Sequence, residues 1–280
     1  MACSAKLKRT RFAPSPTGPL HLGHAMAAIV AFERADPGEF LLRIEDLDQS
    51  RARPHWEAQI YDDLAWLGLG WQTPVIRQSE RLNIYAQAID KLSELGLTYH
   101  CSCTRADIRA ALAAPQEGAP ILGPDGLVYP GTCRGKTSGD TIRLDMARAL
   151  DHLKGRTLSF EESGTQAGYY TATEDWLLTH CGDVVLSRKD MGAAYHLAVV
   201  IDDAAQGITE VTRGEDLFEA TFIHVLVQAL LELPTPQYHH HRLVRDEAGK
   251  RLAKRDDARA IATYRAEGAS PADIRKMIGF

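Results

Sequence analysis

Strand-like and helix-like segments alternate through residues 8–96, and this rhythm limits the possible folds more than any other feature. A short run at 8–13 leads into the helical pattern "PLHLGHAMAAIVAFERA", with Thr17 and Gly18 shaping its start. "EFLLRIED" (39–46) reads as a second buried strand ending in acids. The helix "RPHWEAQIYDDLAWLGL" follows, entered through Pro54, where a missing N–H is no loss. "VIRQ" (75–78) is a third strand, and "RLNIYAQAIDKLSELG" a helix closed by Gly96. This order predicts an α/β fold with a doubly wound parallel sheet, whose ligands sit outside the carboxyl ends of the strands.

The rhythm breaks between residues 98 and 180, where cysteines, a Gly/Pro-rich loop (115–131) and the pieces "TIRLDM" and "TLSF" suggest an inserted α+β subdomain. It returns with "DVVLSRK", "AAYHLAVVIDDAAQG", "ITEVTRG" and the helix "EDLFEATFIHVLVQALLEL". The expected divisions are therefore 1–97 and 181–235 for two halves of one α/β domain, 98–180 for the insertion, and 236–280 for a small tail with a basic hairpin. Five cysteines, an odd number in 280 residues, argue against a disulfide framework and for a reducing cytoplasm. No apolar run approaches the roughly 20 residues that span a bilayer, and the N-terminus lacks a secretory apolar segment. A net charge of −5 excludes a globally basic nucleic-acid coat, so any such contact uses local patches: "CRGK" (133–136), "SRK" (187–189) or "GKRLAKR" (249–255).

"RFAPSPTG" and "HLGH" leave the first strand together and open a helix, which offers unpaired N–H groups and a positive dipole end. His21 and His24, three apart, share one side of the first turn, and Gly18 and Gly23 allow close approach of a ligand. Ring N–H groups there suit phosphate oxygens that gain charge in a transition state. Neither the phosphate loop ending GK[ST] nor GxGxxG occurs.

"RFAPSPTGPLHLGHA" resembles the first signature of class I aminoacyl-tRNA synthetases, in the form used by the glutamyl group. "RIEDLD" (43–48), "AVVIDDAAQGITEVTRGEDL" (198–217) and "KRLAKRD" (250–256) follow in the family's order. The resemblance spans residues 8–256 and implies a Rossmann-like catalytic domain that binds ATP with Mg2+, L-glutamate and tRNA. It assigns Arg11, Ala13 and Ser15 to the glutamate site, Arg11 on the side-chain carboxylate. Glu45 takes the substrate ammonium, while Tyr195 and Arg213 complete the pocket, Arg213 on the main carboxylate. The chemistry agrees: a dicarboxylate suits two guanidinium forks, and an ammonium one fixed carboxylate. His21, Gly23 and His24 fall to ATP. Lys254 matches the second lysine of the KMSKS-like loop, with Arg251 and Ala253 departing from that pattern.

Cys101, Cys103 and Cys133 offer thiolates for zinc, although C-x-C is tighter than the usual finger spacing. Chemistry alone nominates His100 or His152 as a fourth ligand; the resemblance points instead to Tyr129 in "YPGTC". "HHH" (239–241) reads as part of an alternating strand rather than a metal site. The chain ends at Phe280, shortly after the basic loop, where tRNA-charging relatives continue into anticodon-reading domains. That layout and the C-x-C…Y-x3-C pattern match a shorter branch of the family, which attaches glutamate to the queuosine base in the anticodon of tRNA(Asp). Two other readings stand beside this one: charging of a tRNA 3′ end, and a non-catalytic tRNA-binding module with structural zinc. A cytoplasmic monomer is expected.

Overall fold

The computed structural model describes residues 7–113, 122–245 and 259–280. The first half runs β1 (Arg9–Phe12), α1 (Leu22–Ala35), β2 (Glu39–Ile44), α2 (Pro54–Trp66), β3 (Gln72–Arg77) and α3 (Leu82–Glu94). β1, β2 and β3 form a parallel sheet with β2 in the middle, Arg11 opposite Leu41 and Phe12 opposite Leu42. The expected strands and helices of this half are therefore present, with α1 starting at Leu22 rather than at Pro19.

The middle runs β4 (Thr98–Cys101), α4 (Arg105–Ala113), the hairpin β5 (Leu122–Gly123) and β6 (Gly126–Leu127), β7 (Thr141–Leu144), α5 (Met146–His152), β8 (Ser159–Glu162) and β9 (Gly168–Thr171). After α6 (Glu174–Trp176) and a π turn come β10 (Val185–Arg188), α7 (Tyr195–Ala205), β11 (Glu210–Gly214), α8 (Ala220–Leu231) and β12 (Gln237–His241). The tail holds α9 (Ile261–Ala266) and α10 (Pro271–Met277).

β11 pairs in parallel with β12, β12 with β8, and β8 turns back on β9. β1 lies beside β11: the Thr209 N–H donates to the Arg9 carbonyl at 2.9 Å. Further along, the Arg11 side chain, rather than its backbone, reaches the Thr212 carbonyl at 3.1 Å. The chain thus crosses outward from β1 on one side and from β11 on the other, and the crevice of a doubly wound sheet opens between them. One expected strand sits elsewhere. "DVVLSRK" does not rejoin the parallel sheet; β10 pairs antiparallel with β7, which pairs antiparallel with β4. An apolar run marks a strand, but its choice of neighbour is a tertiary matter.

Two large apolar cores and a small one around Cys101 and Cys133 result among the described residues. α1 buries Leu22, Ala25, Met26, Ile29 and Val30 in the core that also holds Leu42 and Ile44 of β2 and Ile261 and Ile274 of the tail. α7 and α8 bury Leu197, Val200, Ile223 and Leu226 in the other large core, with Leu144 and Phe160. No helix among the described residues is long and apolar enough to cross a membrane.

Charge lies at the seam. Arg43, fully buried in β2, donates to Asp203 of α7 at 2.7 Å and to Gln206 at 2.9 Å. Arg11 of β1 meets the same carboxylate through two bonds, at 2.8 and 3.2 Å. Asp202 next to it accepts from Gln78, Arg81 and Tyr85 at 2.7–2.9 Å. Burial alone would raise the Asp203 carboxyl, but the charges of Arg11 and Arg43 outweigh it and hold it below the usual carboxylate range. Asp203→Ala strands two buried guanidinium groups, and its expected cost in urea unfolding at neutral pH is about 3–5 kcal/mol. Because the folded-state carboxyl is depressed, this contribution is fully present above the ordinary aspartate range. It disappears as pH falls through the lower folded-state value, so the variant's deficit should shrink only in strong acid.

Candidate active site

Nine of the residues expected at the glutamate and ATP sites line one cleft of about 520 Å3: Arg11, Ala13, Ser15, His21, Gly23, His24, Glu45, Tyr195 and Arg213. They come from the carboxyl ends of β1, β2 and β11 and from the starts of α1 and α7. Lys254, Arg251 and Ala253 lie outside the described residues.

The two histidines build the start of α1. His21 is its N-cap in extended conformation, and its Nδ1 accepts the Gly23 N–H at 3.1 Å. His24 answers: its Nδ1 accepts the His21 N–H at 3.1 Å. This is a capping box made of imidazoles, with ring centroids 3.9 Å apart. Both Nδ1 atoms act as acceptors, so in the neutral rings the proton sits on Nε2, which is then the N–H donor of each ring. The tail braces this corner, with the Ile261 N–H on the Leu20 carbonyl at 2.8 Å.

The arginines of the cleft differ in their partners. Arg11 shares Asp203 with Arg43, so its charge is largely balanced by the protein. Arg213 is just as buried, but its partners are neutral. Its Nε donates to His240 at 3.0 Å, Nη2 to Thr221 at 2.7 Å, and Nη1 to His224 at 3.0 Å and to the Tyr195 hydroxyl at 3.5 Å. Burial, then the Arg213 charge, holds His224 well below its ordinary range and therefore uncharged. Among the described residues no carboxylate bonds to Arg213 directly. Glu45 is the cleft's complementary group: it stands 3.4 Å from Arg43, and burial pushes its carboxyl up against the pull of Arg43 and Arg11. A cation without a counter-ion and a desolvated carboxylate in one cleft suit a zwitterionic amino acid.

Sequence reasoning missed Arg43, Asp202, Asp203 and His240. The first three carried a signal, since a charged residue inside an apolar strand or helix must find a partner. His240, in the middle of three histidines, carried none.

The cysteine cluster forms apart from the cleft. The Cys101, Cys103 and Cys133 sulfurs lie within 4.8 Å of one another. The Tyr129 hydroxyl is 3.3 Å from both Cys101 and Cys103, and Cys103 is 3.3 Å from Cys133. Ligands on tetrahedral zinc with bonds of about 2.3 Å are spaced by roughly 3.8 Å, so the donors fit the ion with little movement. His100 turns away to the Gly139 carbonyl at 3.0 Å, whereas the Tyr129 oxygen lies against the cluster. Burial opposes ionisation of Cys133, yet hydrogen bonds led by Tyr129 and the Ser102 N–H lower its thiol to about 6, which favours a thiolate.

Comparison with known proteins identifies the family. The family of class I tRNA synthetases (E and Q), catalytic domain, matches residues 8–119 and 172–279. The glutamyl-Q tRNA(Asp) synthetase of Rhodobacter capsulatus is 59% identical over 276 residues, covering 96% of this chain and 99% of that protein. The enzyme of the same name from Nocardia farcinica is 43% identical, covering 96% and 82%. Among solved structures, a glutamate tRNA ligase from Elizabethkingia meningosepticum in complex with its amino acid superposes with a TM-score of 0.76 at 28% identity; the match covers 98% of this chain and 61% of that one. A methionyl-tRNA synthetase from Mycobacterium tuberculosis, 11% identical with a TM-score of 0.60, shares the fold. The chain therefore belongs to the class I tRNA synthetases, as an ATP-dependent ligase of the branch whose members are named glutamyl-Q tRNA(Asp) synthetase.

Proposed function

We propose that the chain activates L-glutamate with ATP without needing tRNA, then transfers the glutamyl group to the queuosine base in the anticodon of tRNA(Asp). The observation that carries the glutamate reading is Arg213, buried among neutral partners in the cleft that Glu45 and Arg11 also line. Arg213 takes the main carboxylate, Arg11 the side-chain carboxylate and Glu45 the ammonium, while Ala13, Ser15 and Tyr195 shape the pocket. A carboxylate oxygen of glutamate attacks the α-phosphorus of ATP, and pyrophosphate leaves. His21 and His24 donate from Nε2 to the phosphates at the start of α1, where Gly23 gives close access and the helix dipole favours anions. Lys254 of the basic loop acts on the departing pyrophosphate. A hydroxyl of the queuosine cyclopentenediol then attacks the carbonyl of the adenylate, and AMP leaves. The tRNA(Asp) acceptor is favoured by the names of relatives that match this chain over nearly its whole length. Use of ATP and tRNA as substrates supports a cytoplasmic location.

In the same reading Cys101, Cys103, Tyr129 and Cys133 hold one structural zinc, which ties the end of β4 to the loop at residues 129–133. Protein purified without added zinc should carry about one equivalent by metal analysis. Cys103→Ser should lose most of it; full retention would show that the ligand set is different.

Exchange of labelled pyrophosphate into ATP tests activation. It should depend on glutamate and proceed without tRNA. Glutamine should be disfavoured by roughly 2–4 kcal/mol, because its neutral amide forgoes the charge-assisted bond that the side-chain carboxylate accepts from Arg11. Equal exchange with the two amino acids would exclude the pocket as described.

The acceptor is tested with labelled glutamate and tRNA(Asp) whose 3′ adenosine has been removed. Transfer should persist on queuosine-containing tRNA and be absent without the modified base. Transfer to tRNA(Glu) that stops once its 3′ end is removed would favour the 3′-charging alternative instead.

A further inference from the structure

Arg213 has a second layer of support that the glutamate reading leaves unexplained. Its Nε–H meets Nε2 of His240 at 3.0 Å, and Nδ1 of His240 lies 2.5 Å from Oε2 of Glu162. Glu162, His240 and Arg213 are all buried. An arginine has no lone pair to offer, so the nitrogen facing it must be the unprotonated one. His240 is thus the Nδ1–H tautomer, donating to Glu162 and accepting from Arg213. The same logic runs along the other side of the guanidinium. Nδ1 of His224 accepts from Nη1, its Nε2–H donates to Nδ1 of His196 at 3.1 Å, and Nε2 of His196 faces Asp125 at 3.4 Å. Two acid–histidine arms therefore end on one arginine.

The Glu162 arm cannot turn. Its Oε1 accepts the His240 N–H at 2.9 Å and the Gly164 N–H at 2.5 Å. The strand carrying it is pressed against β12, with Ser163 and Thr165 donating to the Tyr238 and His240 carbonyls at 3.0 and 2.9 Å. Residue 164 has to be glycine, because a Cβ there would lie 2.1 Å from the His240 carbonyl oxygen. Burial, the largest influence on His240, keeps its imidazole below the ordinary range even beside Glu162. The arm therefore orients Arg213 through a neutral acceptor and keeps the Glu162 charge one ring away from the guanidinium.

We propose that Glu162 and His240 are positioning residues for substrate binding: they fix the tautomer and the aim of the acceptor that sets Arg213 toward the substrate carboxylate. The proposal rests on the glutamate reading of the cleft. It makes glutamate recognition depend on a proton placed two residues away from the substrate. Glu162→Gln is the sharp test because it is nearly isosteric. The two backbone N–H groups at Oε1 demand the amide oxygen, which turns the amide NH2 toward Nδ1 of His240. His240 must then carry its proton on Nε2, pointing at the N–H of Arg213.

In pyrophosphate exchange, Glu162→Gln should raise the glutamate KM about tenfold or more, with kcat and the ATP KM close to wild type. Nitrogen NMR of His240 should show the proton on Nδ1 in the wild type and on Nε2 in the variant, with thermal unfolding midpoints alike. His240→Gln, whose amide oxygen can take the place of Nε2, should keep a glutamate KM nearer wild type than His240→Asn, which is too short. A wild-type glutamate KM in Glu162→Gln, or a His240 proton on Nε2 in the wild type, would overturn the proposal. So would a parallel loss of kcat, ATP KM and stability, which marks a merely structural role. Absence of glutamate-dependent exchange in the wild-type chain would count against the substrate reading, and the tautomer measurement would still decide the positioning.

Discussion

One carboxylate, that of Asp203, joins two of the strands and one of the helices from which the catalytic crevice is built. Arg11 brings β1 to it, Arg43 brings β2, and Asp203 itself comes from α7. Both arginines lean on it in so dry a place, Arg43 together with Glu45 and Asp202, since an isolated buried ion loses far more in hydration than packing returns. The geometry of the cleft follows from this bond set. Arg43 stands two residues before Glu45, and Arg11 two residues before Ala13, so the same contact that closes the seam aims the residues at its rim.

The cleft also separates two uses of arginine. Arg11 and Arg43 are both balanced by a carboxylate of the protein, and Arg43, which does not line the cleft, serves as framework. Arg213 is surrounded by imidazoles, a threonine and a tyrosine, all of them uncharged acceptors. Acceptors of this kind satisfy the N–H groups without cancelling the charge. The electrostatic field is then available to whatever carboxylate enters, and little reorganisation is needed when it arrives.

Much of this was legible in the residues. β1, α1, β2, α2 and α3 stand within a few residues of their expected places because period and end signals coincide there: Pro54 at one start, Gly96 at one stop. α1 begins later than expected because His21, not the threonine–glycine pair before it, supplies the cap. Signal ran out where partners come from far along the chain. β10 looks like any returning strand, yet it is paired by β7, and nothing local distinguishes the two outcomes. The second layer behind Arg213 is invisible for the same reason: Glu162 and His240 lie 78 residues apart, and each alone reads as an ordinary strand residue.

The imidazole capping box has a consequence for how such a chain can change. In most enzymes a reactive side chain is lodged in a scaffold that survives its removal. Here the pair at the cleft end of α1 is also the pair that begins the helix, and the helix carries Ala25, Met26, Ile29 and Val30 into the core. Replacing either histidine removes a donor from the cleft and also leaves a backbone N–H without its acceptor. Drift toward an inert relative is thereby discouraged at the first step, because decay of the chemistry brings decay of the framework with it. Folding itself becomes a guardian of the catalytic signature.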